Sequence, residues 1–439
     1  MTNITYVGGN VVDWNTQMDK SELSRLVKMI KDNNGNETHF QLEQDQLWEI
    51  VEKVEENHEG DHLYLYLHKD PQYKFDKNQK GWETEKKLPD EKRQPQKKLS
   101  GLRRPGGGAA NNIHNAGTLA KTIGSDISLE LLVSQESRFV RACLGSELSG
   151  TKKEVSYYAI RECEEELDNV NFRCDGKKFT FTSQEKPMTC EEIQRLQQRL
   201  DQRCADSRDM LVINSVKDMD YLGGIIHWYA GAKTKPKVVA AVTSSMLKDK
   251  VATEVKHLVA MSDIYVSNLE ELHSLLKDST FAHKKTWDVL ENSDIYVGML
   301  EILKQQKAAG KAGKVYVTCG DTGSLMMDSK GMLYFQKVSS MIKGPGKKDS
   351  AVDLNGAGDT FTGVMTLLEA EGKYTDLEIF DYANAAAQIC IRRPGANGKD
   401  RITKEEIVDF RKKHSQNMWK YDPTSGDFVE NCQDGYNLK

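Results

Sequence analysis

The sequence predicts an α/β fold, a core around a mainly parallel sheet with a small inserted lid near its start. Three observations predict it. Short apolar runs at Asp209-Met-Leu-Val-Ile-Asn214 and Lys237-Val-Val-Ala-Ala-Val-Thr243 flank a stretch long enough for a helical crossover, the rhythm of a parallel sheet. The run Ala351-Val-Asp-Leu-Asn-Gly-Ala-Gly-Asp-Thr-Phe-Thr-Gly363 is built to leave a strand and open a helix. From Lys69 to Ser100, lysine, glutamine, aspartate and proline displace apolar residues, so this stretch reads as a mobile excursion from the core.

Taken in order, Ile4-Thr-Tyr-Val-Gly-Gly-Asn-Val-Val-Asp13 reads as a short buried strand ending in a polar loop, suited to a substrate site at a sheet edge. Residues 23–30 and the acidic, amphipathic 41–56 read as helices, and 61–68, alternating Leu with Tyr, as a strand. Regular packing resumes at Gly106-Gly-Gly-Ala-Ala-Asn111, where glycines permit close approach of a ligand and the next residues begin a helix. From Gly145 to Arg208 the chain is charged and irregular, with a helix near 191–200. In Ser262-Asp-Ile-Tyr-Val-Ser-Asn268-Leu-Glu-Glu271, Asn268 and Glu271 follow a strand at a spacing that shares a helix face. They could arrange water and magnesium around phosphate, or simply cap a solvated turn. Lys314-Val-Tyr-Val-Thr318 is a further strand, and Tyr382-Ala-Asn384-Ala-Ala-Ala387 a helix of small residues.

The loop before Gly363 carries the chemistry. Gly356 and Gly358 can approach a ligand closely, and the amides of Gly356-Ala357-Gly358 at a helix start can hold an oxyanion. Asp359 would sit beside that anion. A carboxylate there repels phosphate unless a cation or a substrate proton compensates, which points to Asp359 receiving a proton from an attacking hydroxyl. The plainer alternative is a glycine turn with a capping Asp.

Asp353-Leu-Asn-Gly-Ala-Gly-Asp359-Thr-Phe resembles the D-T-x-G-A-G-D signature of the ribokinase-like (PfkB) carbohydrate and nucleoside kinases, with Leu354 at the commonly threonine position. The resemblance implies a ribokinase-like three-layer core, Asp359 as catalytic base, and Gly356, Ala357 and Gly358 as an anion hole. Gly106-Gly107-Gly-Ala-Ala-Asn111 resembles the family's G-G-x-x-x-N signature, which implies acceptor contacts at Gly107 and Asn111. Gly9-Asn10-Val-Val-Asp13 is similar to the first strand and its substrate aspartate; a carboxylate there can accept from two neighbouring hydroxyls. Asn268 and Glu271 match the N-x-x-E magnesium and phosphate motif, with Glu271 acting through water. Thr318, Gly320 and Gly323 match the T-x-G-x-x-G nucleotide loop, although Thr318 could equally be a structural cap. Asn384 falls on the adenine-pocket wall, as a base contact or a packing residue. Arg392-Arg-Pro-Gly-Ala396 resembles the loop of a monovalent-cation site, for which Asp353 is a potassium ligand candidate. The implied cofactors are ATP and Mg2+, with K+ as an addition.

The matches divide the chain into a discontinuous core, 1–13 with 101–405, a lid and charged insertion at 14–100, and a C-terminal extension at 406–439. The implied activity is ATP-dependent phosphorylation of a small sugar. The alternatives are a nucleoside kinase, an ADP-dependent sugar kinase, and an inactive kinase fold that binds a partner through its charged excursions. At 439 residues, 38% hydrophobic and 29% charged, the chain has enough apolar content for a core. A net charge of −5 offers no global attraction to nucleic acid or an anionic membrane. Lysines and arginines between Lys86 and Arg104 form a basic stretch, read as solvated linker or as a guide for an anionic nucleotide. Eight cysteines without a CxxC pair, after a start with neither a basic nor a long apolar leader, imply reduced thiols and a cytoplasmic location. No run reaches the roughly 18 to 20 apolar residues that span a bilayer. A homodimer through the lid is a further expectation. His114 reads as a packed or surface histidine, with contact to the acceptor or lid as the alternative.

Overall fold

The computed structural model describes residues 2–9, 11–17, 39–42, 75–76, 81–82, 103–153, 155–162, 168–174, 177–183, 187–247, 252–276, 293–320, 322–338, 356–392, 402–414, 418–422, 424–425 and 427–431. Its strands are β1 (Asn3–Gly8), β2 (Val11–Gln17), β3 (His39–Leu42), β4 (Phe75–Asp76), β5 (Gly81–Trp82), β6 (Arg103–Gly106), β7 (Ser128–Gln135), β8 (Val155–Arg161) and β9 (Asp168–Cys174). They continue with β10 (Lys177–Ser183), β11 (Met210–Asn214), β12 (Lys237–Ala241), β13 (Ile264–Asn268), β14 (Val315–Thr318), β15 (Gly323–Met327), β16 (Leu333–Lys337), β17 (Met418–Asp422) and β18 (Asp427–Asn431). Helices α1 (Gly108–Ile123), α2 (Arg138–Glu147), α3 (Cys190–Arg203), α4 (Met219–Gly231) and α5 (Thr253–Met261) precede α6 (Leu269–Leu275), α7 (Ser293–Ala308), α8 (Ala357–Glu371), α9 (Asp376–Cys390) and α10 (Lys404–Lys413).

Eleven strands form the main sheet in the order β18-β17-β16-β15-β14-β13-β12-β11-β1-β7-β8. Neighbours run parallel from β8 to β14, and antiparallel from β14 to β18. Side chains alternate across the sheet, so each central strand feeds two cores. Ile4, Tyr6, Met210 and Val212 join one core with α1, α8, α9 and α10, whereas Leu211, Ile213, Val238 and Ala240 join the other with α3, α4, α5 and α7. This is the expected three-layer α/β core. Several helix starts are written locally. At α3, α9 and α10 a threonine caps the helix while the glutamate three residues on bonds back to the cap amide.

The second sheet has the order β3-β10-β9-β2-β6. It is built differently from the sequence reading. Val11–Gln17 is not the tail of β1 but a separate strand, so Asp13 stands inside β2, in register with Arg104 of β6 and Asn169 of β9. Strands β8, β9 and β10 also occupy the stretch expected to be irregular. Asn169-Val-Asn-Phe-Arg and Lys178-Phe-Thr-Phe-Thr have a two-residue period, which the high charge of the surrounding segment obscures. The tail expected as an extension supplies α10 and the edge strands β17 and β18. Of the insertion at 14–100, only the remainder of β2 and strands β3, β4 and β5 are described. The helices expected at 23–30 and 41–56, the strand at 61–68 and most of the basic stretch lie outside the described residues.

Five cysteines among the described residues are free thiols. Among the described residues no helix is long and apolar enough to cross a membrane.

Candidate active site

Parallel strands end on one side of the sheet, and ligands of open α/β folds sit in the crevice beyond those ends. Here β11 ends at Asn214, β12 at Ala241, β13 at Asn268 and β14 at Thr318, and all four residues border one cavity of about 440 Å3. The register that pairs Asn214 with Ala241 and Asn268 with Thr318 brings these ends level. The opposite wall is the first turn of α8, with Asn384 and Gln388 of α9.

Gly356 caps α8 with a left-handed backbone, φ 74°, a conformation that glycine adopts without strain. Ala357, Gly358 and Asp359 form the first helical turn, where amides lack intrahelical acceptors and the helix dipole is positive. A Cβ built on Gly358 would meet nothing within 4 Å, so the turn is open to a ligand. Below it the helix is anchored by aromatic packing. Phe361 meets Tyr316 of β14 and Phe380 of α9 with ring centroids 5.9 and 6.3 Å away.

Asp359, on the cavity wall, is held from behind by asparagines. Asn111 Nδ2 donates to Asp359 Oδ2 at 2.7 Å, and Asn112 Nδ2 donates to the Asp359 carbonyl at 2.8 Å. Asn214 Nδ2 donates to Asn112 Oδ1 at 2.7 Å and more distantly to Asp359 Oδ1 at 3.4 Å. Asn111, expected as an acceptor contact, is thus bonded to the Asp359 carboxylate. Gly107 caps α1 with φ 86° just before it.

Asn268 and Glu271 form a reciprocal capping box at the start of α6. Asn268 Oδ1 accepts from the Glu271 amide and Glu271 Oε2 from the Asn268 amide, each at 2.8 Å. Glu271 Oε1 accepts from the Ser244 amide at 2.8 Å. The cap is real, but the turn is not solvated, because Glu271 is 8% exposed and borders the cavity. Burial pushes its carboxyl from the ordinary 4.5 up to about 7; the negative Asp359 acts in the same direction, and the two amides oppose it. The folded chain thus holds a proton that the unfolded chain has released between these values. Its stabilising contribution is greatest below about pH 4.5 and is lost as pH rises through about 7. Urea unfolding at pH 5, 6 and 7.5 checks this: the wild type should lose stability relative to Glu271→Gln across that range, by at most about 1.4 kcal/mol per pH unit. Parallel pH dependences would remove the effect.

Thr318, Gly320, Gly323 and Asn384 border the same cavity as Asn268, Glu271 and Asp359. Asp13 is placed only by its strand, its side chain lying outside the described residues, as do Asp353, Leu354 and the 393–396 loop. His114 is fully buried on α1 and pairs with Glu147 at 3.1 Å, the packed role. Sequence reasoning missed Asn112, Asn214 and Ser324. Ser324 borders the cavity, and its buried hydroxyl has no hydrogen-bond partner among the described residues, leaving it able to bond a ligand. A polar residue ending the apolar run 210–213 was the available signal for Asn214.

Among the described residues no three His, Cys, Asp or Glu side chains cluster to cage a metal. The donor set fits magnesium differently. That ion keeps several waters and binds largely through substrate phosphates, and Glu271 retains lone pairs able to accept from such water.

A family model described as pfkB family carbohydrate kinase matches residues 191–402. No curated protein matches the chain. Among solved structures, phosphofructokinase-2 from Escherichia coli in complex with potassium is similar at 14% identity and a TM-score of 0.56, covering 94% of this chain and 99% of its own. Ribokinase from Thermotoga maritima gives 14% and 0.54, covering 94% and 100%. Adenosine kinase from Schistosoma mansoni in complex with 2-fluoroadenosine gives 13% and 0.60, covering 91% and 97%.

Proposed function

We propose that this chain is a kinase of the PfkB/ribokinase-like carbohydrate and nucleoside superfamily, supported by the family match over residues 191–402 and by the fold it shares with such kinases, and that it transfers the γ-phosphoryl group of ATP to a hydroxyl of a small sugar. The observation that carries the reading is the pairing, at the first turn of α8, of an open amide cradle with the Asp359 carboxylate. The acceptor oxygen bonds to the γ-phosphorus as the bond to the β-phosphate oxygen breaks, and ADP leaves. Asp359 takes the proton from the acceptor. Amides of Gly356, Ala357 and Gly358 stabilise negative charge on the transferring group. Glu271 with Asn268 would hold magnesium through its water, and the ion, when bound with the donor, would supply neutralisation of phosphate charge. Thr318, Gly320, Gly323 and Asn384 form the nucleotide wall, joined by the Ser324 hydroxyl. The second sheet covers the acceptor and excludes water.

Asp13 and Asn111 fit hydroxyls common to sugars and to the ribose of nucleosides, so the acceptor panel must contain both. Product formation with ATP or ADP as donor, across sugars and nucleosides, tests the reading: a phosphorylated sugar formed with ATP supports it, whereas product from nucleosides alone, or with ADP alone, replaces it. Asp13→Ala should raise the acceptor KM at least tenfold while ATP affinity stays within about threefold. Separate calorimetric titrations of acceptor and ATP check the split; unchanged acceptor affinity and turnover would remove Asp13 from the site.

A further inference from the structure

We propose that Asn112 and Asn214, backed by Ser215, are positioning residues that fix Asp359 at the first turn of α8; the catalytic consequence rests on the phosphotransfer reading above. The hydrogen-bond directions are forced. The Asp359 carbonyl can only accept, so the atom of Asn112 that faces it at 2.8 Å must be Nδ2. Asn112 Oδ1 then faces Asn214, whose Nδ2 must donate to it. Asn214 Oδ1 in turn accepts from Ser215 Oγ at 2.8 Å. A chain of donors therefore runs from Ser215 through Asn214 and Asn112 to the Asp359 backbone, with a branch from Asn214 to Oδ1 of its carboxylate.

Neither carboxamide is at the surface. Asn112 is 0% and Asn214 1% exposed. Buried carboxamides are costly unless bonded, and a bonded chain admits few alternative orientations. Backbone features make room for it. A Cβ on Gly108 would lie 2.3 Å from Asn214 Oδ1, and one on Gly363 of α8 would lie 2.5 Å from the Asn112 carbonyl. Ser215 adopts φ 58°, the one positive φ of a non-glycine among the described residues, where β11 turns away beside Gly9. Such conformations persist where the surroundings enforce them. The glycines, the strained serine and the buried amides together deliver donors to one aspartate. Donation to a carboxylate favours its ionised form and limits its rotation, both of which suit a proton acceptor aimed at one place.

The test uses Asn214→Asp, Asn214→Ala and Asn112→Ser in the full chain, each checked by thermal unfolding. The first readout does not depend on activity. Carbon-13 NMR of aspartate-labelled protein follows the Asp359 carboxyl, assigned by its loss in Asp359→Asn. Asn214→Asp replaces a donor with a second carboxylate and should move the titration midpoint of Asp359 upward by roughly one pH unit or more. The two neutral variants should move it less, in the same direction. The acid limb of the kcat profile should move with the midpoint. At pH 7 kcat should fall roughly 10- to 100-fold, less than on loss of the base itself, with nucleotide affinity within about threefold. Folded variants whose Asp359 signal titrates as in the wild type would overturn the proposal, whatever their stability. If Asn214→Asp does not fold, the other two decide on the same signal. A shifted signal in a protein that phosphorylates no acceptor would uphold the positioning role and overturn the phosphotransfer reading.

Discussion

Asp359→Asn should leave a folded, nucleotide-binding protein whose phosphoryl transfer is lower by roughly 10² to 10⁴-fold, the range for a positioned acid–base group. Asparagine keeps the size of the side chain, but its carboxamide is not basic enough to take the acceptor proton. It also turns an NH2 toward a neighbourhood of donors, Asn111 Nδ2 and Asn214 Nδ2, so one present bond is lost. The cost in stability should be modest. Losing a negative charge in the first helical turn costs about 0.3 to 1 kcal/mol, and the aromatic contacts of Phe361 remain. Product formation at saturating ATP and acceptor, with thermal unfolding and nucleotide titration alongside, separates chemistry from folding. Wild-type turnover in a folded variant that binds nucleotide would remove Asp359 as the base.

Gly8→Ala should destabilise the fold by about 3 kcal/mol or more, combining a strained backbone with a clash in a packed core. Gly8 closes β1 at φ 144°, and an added Cβ would lie 1.6 Å from the Asn214 carbonyl oxygen. That oxygen is backbone at the end of the neighbouring parallel strand, so the sheet itself must part. Gly223→Ala in α4 is the matched control. Its Cβ would meet nothing within 4 Å, and replacing a helix-interior glycine should stabilise by about 0.5 to 1 kcal/mol. Urea unfolding of the two variants gives opposite signs if this account of the strand ends is right. A Gly8→Ala protein within about 0.5 kcal/mol of wild type would contradict it.

The parts legible in the sequence are those whose geometry is local. Gly356 to Asp359 lie in consecutive positions, and Asn268 with Glu271 sit three apart, so a helix start brings each group together without help from the rest of the chain. The apolar runs of β11 and β12 were likewise readable from a few residues each. What was not legible depends on long-range contact or on weak local pattern. Asn112 and Asn214 are 102 positions apart, and nothing near either one announces the other. Strands β9 and β10 carry a two-residue period within a highly charged segment, so composition hid them. Met418-Trp-Lys-Tyr-Asp is equally short, and its place at the sheet edge follows from pairing with β16. Asp13 shows the same limit: its residue type suited a site, but its strand is ordered by partners at 103–106 and 168–174 that follow far along the chain.

The central claim is that the cavity beyond β11 to β14 carries phosphoryl transfer from ATP to a hydroxyl. Phosphorus-31 NMR of the full chain with magnesium, ATP and a panel of sugars and nucleosides reads that transfer directly. The account predicts a new phosphomonoester resonance that grows in step with ADP in the presence of a sugar, and that is nearly absent with Asp359→Asn. ADP and free phosphate without any phosphomonoester, or an unchanged ATP spectrum with every acceptor, would contradict it.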